Sequence, residues 1–253
     1  MALFFGHGEL LWRFLHVFFG IIWIGTLYYF NFMQTPFFAE TDGNTKNGAI
    51  QKLLPRALWW FRWGAMFTFL TGLFLLGAKT AGGIGSAGVD SLSAAFVSYF
   101  TVNTGIVILP GMIFGITMFL NVWLIIWPNQ KIVIASTNAV VGGGKADPAA
   151  ANSAARAAVV SRTNTLFSVP MLFFMISAAH MVQTGGVDAE TLSQKITIFW
   201  TVTGVFWLVA ELNAIFGKLV APLKTVRNVL LSGFVSTIAF YVLWEVLFNR
   251  PTT

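Results

Sequence analysis

Six stretches of this chain run for about twenty residues each with almost no charge: roughly 11–33, 59–78, 106–127, 163–183, 196–216 and 228–248. At 1.5 Å per residue, about 20 apolar residues in a helix cross the hydrocarbon of a bilayer. Inside that layer every backbone polar group needs a partner, so a segment of this length crosses as a helix. The sequence therefore predicts an all-α integral membrane protein. It reads as a single transmembrane domain, 1–253, a bundle of about six helices with the lipid bilayer as its first partner. The chain is 57% hydrophobic and 9% charged, with 26 Phe and 10 Trp. That is more apolar surface than a soluble core of this length requires. The first run lacks a basic leader and a small-residue cleavage site, so it is expected as a retained helix.

The connections are read from composition. Residues 91–104, SLSAAFVSYFTVNT, are semi-polar and predict a short interfacial helix or an extension of the third span. Pro110 is expected to kink that span by removing an i−4 hydrogen bond. Residues 128–161 contain VVGGGKADPAAANSAARAA and are expected to form a flexible cytoplasmic loop. The triple glycine there is no phosphate loop, since no Gly-Lys-Ser/Thr ending follows. Eleven of the 15 lysines and arginines fall in the connections after spans one, three and five. The positive-inside bias then puts those loops in the cytoplasm and both termini on the outer side. In a membrane chain the net charge of +6 reads as this asymmetry, not as affinity for nucleic acid.

Ionisable groups at membrane depth are costly and mark sites. Here they are His16, His180, Glu211 and Glu245, with Arg13 at the edge of the first span. His16 descends from the outer side on span one, and His180 approaches it on span four. Both fall in the outer half at similar depth. Two neutral imidazoles from different helices are what a b-type haem needs as axial ligands. Gly20 lies four residues after His16 on the same helix face, and Ser177 lies three before His180. Small residues of this kind would let a porphyrin approach the backbone. Trp23, with Phe14, Phe18 and Phe19, would wall the pocket. The alternative reading is that each histidine bonds a neighbouring helix and the aromatics meet lipid. A copper site with His7 as third imidazole is a further option. Glu245 is expected to pair with Arg13 or Arg250, and Glu211 to snorkel and pair with Lys218; the alternative for each is to carry a proton. Ser161 is expected to cap span four, with Arg162 and Asn164 at the cytoplasmic interface, Arg162 as an anchor or an anion ligand. Pro170 should free a carbonyl near residue 166.

Four stretches together resemble one family. They are WRFLHVFFGIIWIGTLYYFNF (12–32), WWFRWGAMFTFLTGLFLL (59–76), GMIFGITMFLNVWLIIWPNQ (111–130) and SRTNTLFSVPMLFFMISAAH (161–180). They are similar to the N-terminal membrane domain of the bacterial membrane-bound urate oxidase (urate hydroxylase) family. The resemblance implies a bacterial inner-membrane location. It also implies oxidation of urate to 5-hydroxyisourate, with electrons passed to a C-terminal cytochrome c on the outer side. These 253 residues contain no such cytochrome, and without a cysteine they carry no covalent c-haem. Gly64 stands where the resemblance leads one to expect an acidic residue. The spacing of His16 and Trp23 is also similar to that in the bacterial membrane protoporphyrinogen oxidase family, a haem-binding bundle.

Three functions follow as expectations. The first is a membrane redox protein that binds haem b through His16 and His180 and reduces a separate cytochrome c or respiratory complex. The second is a urate-oxidase-like oxidoreductase. The third is a non-catalytic membrane subunit or assembly factor of a larger complex.

Overall fold

The computed structural model describes residues 8–81, 91–181 and 189–249, and all its secondary structure is helical. Helix α1 (Gly8–Tyr28) continues through a π-helical turn, Tyr29–Gln34, into α2 (Thr35–Glu40). Two helices follow, α3 (Gly43–Lys52) and α4 (Leu54–Ala81), and then the short α5 (Leu92–Tyr99). Helix α6 (Asn103–Leu120) runs through a second π-segment, Asn121–Ile126, into α7 (Trp127–Val141). The chain ends with α8 (Ala150–Ser177), α9 (Ala189–Phe216), a 3-10 turn (Ala221–Leu223) and α10 (Val226–Trp244), closed by a third π-turn, Glu245–Asn249.

Six of these helical runs are long and apolar enough to cross a membrane: Glu9–Glu40, Leu54–Thr80, Thr104–Val141, Ala150–Ser177, Glu190–Phe216 and Val226–Asn249. The chain is thus a multi-pass, all-α membrane protein. Its lipid-facing surface is visible on α1, where Leu10, Phe14, Val17, Phe18 and Ile21 are exposed, and on α10, where Leu231, Phe234, Val235 and Ile238 are exposed.

Residues 128–161 are not the flexible loop that their glycines suggest. Helix α7 covers the first part and α8 the last, leaving only 142–149 as a connection. The alanine-rich run 149–158 is a strong helix former. The inward side of both helices is also buried, at Ser136, Ser153, Ala157 and Val160. The turn is tied by the Asp147 backbone N–H, which donates to Ser136 Oγ at 2.9 Å. Ser161 consequently lies inside α8 and caps nothing.

Within 91–104 the separate short helix is α5, Leu92–Tyr99, and residues 103 and 104 already belong to α6. Ser91 caps α5 by accepting the Ala94 N–H, and the chain breaks before α6. Gly105 makes that break possible, because a Cβ there would run into the Tyr99 carbonyl.

Helix α8 is the axis of the bundle. It packs against α6, α7, α9 and α10, and more lightly against α1. Helices α1 and α4 form the closest pair. Their approach is set at Gly64, where a Cβ would come within 3.1 Å of the Trp23 backbone nitrogen. A longer side chain at 64 would push the pair apart, which accounts physically for glycine where an acidic residue was expected. Pro170 sits inside α8. The Leu166 carbonyl, four residues earlier, faces Gly233 of α10, whose added Cβ would lie 3.4 Å from it.

Candidate functional site

Polar side chains enter the apolar interior at several places. The first is the interface of α1 and α4. His16 Nδ1 lies 2.9 Å from the Thr68 carbonyl and 3.4 Å from Thr71 Oγ1. A carbonyl only accepts, so Nδ1 carries the hydrogen. Nε2 makes no hydrogen bond among the described residues. The ring sits close against α4 because residue 72 is glycine: a Cβ there would sit 3.1 Å from Cε1. Gly20 faces the same helix, with Thr68 Cγ2 3.9 Å from the place of its missing Cβ. Trp23 is buried in the core, and its Nε1 has no hydrogen-bond partner among the described residues.

His180 lies beyond the end of α8 and is exposed. Its Nδ1 donates to the Ile176 carbonyl at 2.9 Å. The buried Ser177 supports this turn, its carbonyl accepting the backbone N–H groups of His180 and Met181 at 2.8 Å each. No hydrogen bond or ring contact joins His180 to His16. The aromatics grouped with His16 divide: Phe14 and Phe18 point outward, while Phe19 packs on Phe67 with ring centroids 4.8 Å apart.

The charged residues take partners other than those expected. Arg13 pairs with Glu9, which also holds Lys79 Nζ at 2.8 Å. Burial pushes the nearby Tyr99 phenol up from its ordinary range, and the Glu9 carboxylate adds to that. Glu245 accepts from Asn249 Nδ2 at 3.0 Å and does not meet Arg13. Arg250 and His7 lie outside the described residues. Glu211 forms no pair with Lys218 and is turned into the bundle.

That inward turn defines the second place, which sequence reasoning did not find. Asn121 opens the π-segment after α6 and is buried. Its Nδ2 donates to Glu211 Oε2 at 3.1 Å and to Asn164 Oδ1 at 2.9 Å. Asn164, on α8, in turn donates to the Met118 carbonyl at 3.0 Å. Three helices are thereby tied through amide and carboxyl groups in an apolar core. The available signal was one polar letter in GITMFLNVWLII, since asparagine at membrane depth seeks a partner helix.

Further along α8, Asn31 Nδ2 donates to Ser161 Oγ at 2.9 Å, and Tyr28 Oη lies 2.9 Å from Ser168 Oγ. Close in sequence to the Asn31–Ser161 bond, Gln34 Oε1 and Arg162 Nη1 are buried without a hydrogen-bond partner among the described residues. The chain therefore offers an unused acceptor and an unused cationic donor on the two segments that this bond ties together. No group of three or more His, Cys, Asp or Glu side chains converges among the described residues.

Residues 84–214 match the family model described as urate oxidase N-terminal. The matched segment contains Asn121, Asn164, Arg162, Ser177, His180 and Glu211, while His16, Gly20 and Trp23 precede it. No curated protein and no solved structure matches the chain.

Proposed function

This chain belongs to the urate oxidase N-terminal family, and from that premise we propose that it is the membrane-embedded part of a urate-oxidase-like oxidoreductase. The observation that carries the reading is the family match over 84–214, a segment that includes α8, the bundle's most buried span. By charge asymmetry the end of the bundle holding Arg162 faces the cytoplasm of a bacterium, and the end holding His16 and His180 faces outward.

Urate is an anion whose ring carries both N–H and carbonyl groups. Arg162 Nη1 and Gln34 Oε1 are a donor and an acceptor of the kind such a ring satisfies. Oxidation to 5-hydroxyisourate adds water and releases two electrons and two protons. The electrons require an acceptor, and a separate cytochrome c or respiratory complex on the outer side would take them.

A second reading, haem b on His16 and His180, is favoured by one shared feature. In both residues a backbone carbonyl takes the Nδ1 hydrogen, which orients the ring and leaves Nε2 as the free donor, as in metal-ligating histidines. Two histidines in this tautomer are donors of the kind that haem iron takes, and bound haem would supply one-electron transfer. Thr68 would then hold His16 in its tautomer, and Gly72 would give the ring its seat.

The test is urate consumption by membranes containing the chain, with oxidised cytochrome c added. Urate-dependent cytochrome reduction is expected. A folded, membrane-inserted chain that neither consumes urate nor shows a reduced b-type spectrum would leave a non-catalytic subunit as the better description.

A further inference from the structure

Glu211 is 7% exposed on α9, inside the bundle, and it forms no ion pair with any described residue. The charged side chains on the elements packed against α9 are Arg156 and Arg162 on α8, Arg227 on α10 and Glu245 on the π-turn, and none pairs with it. Glu190 and Lys195 lie four turns or more away along α9 itself. Its one hydrogen bond among the described residues is to the neutral amide of Asn121.

A carboxylate in such surroundings is a poor structural choice. An apolar side chain packs as well, and an unpaired buried charge costs several kcal/mol. Nor is the site a cation cage. Hard cations take several oxygens, whereas here the Asn121 amide nitrogen points at Glu211, and the same nitrogen occupies the Asn164 oxygen. What remains is Glu211 Oε1, which has no hydrogen-bond partner among the described residues. The backbone is also built for the contact. Helix α6 widens at Asn121 into the π-segment, and the Met118 carbonyl there accepts the Asn164 side chain. Insertions of this kind concentrate at functional sites.

We propose that Glu211, held by Asn121 and Asn164 at the π-segment, is an internal proton-binding site of the bundle. The proton binds at Oε1 while Oε2 stays on the Asn121 amide. It is gained from and returned to the aqueous side at which α9 ends, five residues and about 8 Å beyond Glu211. The proposal rests on burial and bonding and holds whether or not the substrate is urate.

The experiment is an infrared pH titration of the purified full chain, with Glu211→Gln and Asn121→Ala alongside. The expected result is a carboxylic C=O band that titrates, shifts in heavy water and disappears in Glu211→Gln. Its midpoint should move by about one pH unit in Asn121→Ala, the scale of one hydrogen bond to a charged group. On the unaltered protein, a hydrophobic carbodiimide should modify Glu211 in a pH-dependent way, read by mass spectrometry. That measurement stands even if a variant fails to fold. A carboxyl spectrum identical in folded Glu211→Gln, or no pH-dependent modification of Glu211, would overturn the proposal.

Discussion

His16 donates its Nδ1 hydrogen to the Thr68 carbonyl, 2.9 Å away on the neighbouring helix. Thr68 Oγ1 bonds Gly64 O, and Thr71 Oγ1 bonds Phe67 O, so both hydroxyls turn back on their own helix. The histidine is therefore an interhelical tether, the helix-to-helix bond that its sequence position allows.

The seat of that ring depends on Gly72. A Cβ at 72 would stand 3.1 Å from Cε1 and 3.3 Å from Nδ1. Gly72→Val should lower stability by about 1–3 kcal/mol through overpacking, measured as a shift in thermal unfolding in detergent. If His16 ligates haem, the same variant should also lose or shift the visible spectrum. A Gly72→Val protein as stable as the wild type would show that the imidazole is free to move.

Asn31 and Ser161 form another interhelical bond. Asn31 is buried and also bonds Leu27 O. Removing either partner should cost about 1–2 kcal/mol, because the other is left without its bond. A double-mutant cycle with Asn31→Ala and Ser161→Ala should then show coupling of about 1 kcal/mol in unfolding measurements. Strict additivity would mean that the bond contributes nothing.

Much of this fold was legible because lipid imposes a simple rule. Six apolar runs gave six spanning helices, since backbone satisfaction leaves no other choice for such segments. What the runs do not encode is where helices end outside lipid. Ala150 to Arg156 continues α8 because alanine favours helix and Ser153 and Ala157 are buried against neighbours. A reading that took Gly142–Gly144 as the mark of a long loop saw the turn and missed its shortness. The polar partners were harder still. Glu211 has Lys218 two turns away in sequence, yet it bonds Asn121, 90 residues distant. Sequence spacing lists neighbours along one helix, whereas a buried carboxyl is satisfied by whichever helix packs against it. Arg13 followed the local rule instead, pairing with Glu9 one turn back.

Arg162 tests the substrate reading. Its Nη1 is buried with no hydrogen-bond partner among the described residues, and a charge-assisted bond to an anion is worth about 1.5–3 kcal/mol. Arg162→Gln should therefore raise the KM for urate by roughly ten- to a hundredfold, with a smaller change in kcat. Arg162→Lys should restore only part of the loss, since a single ammonium does not replace the guanidinium fork. Steady-state kinetics on membranes decides this. A KM unchanged in folded Arg162→Gln would remove Arg162 from the site.

Asp42 lies outside the spans and provides a pH test with a definite sign. It caps α3, with Oδ1 accepting the Asn44 and Thr45 N–H groups and Oδ2 accepting the Thr45 hydroxyl. The Thr45 hydroxyl, and then these backbone donors, hold its carboxyl below the ordinary aspartate range. A carboxyl lowered on folding stabilises the folded state above its unfolded pKa and loses that effect as pH falls through the folded value. Helix α3 should therefore fray only in acid, below about pH 4. Hydrogen exchange at the amides of Asn44, Thr45 and the turn that follows should quicken there, beyond the intrinsic pH trend. Asp42→Asn keeps an oxygen acceptor at the cap but has no proton to gain, so its protection should be independent of pH over that range. The same acid response in Asp42→Asn would place the titrating group elsewhere.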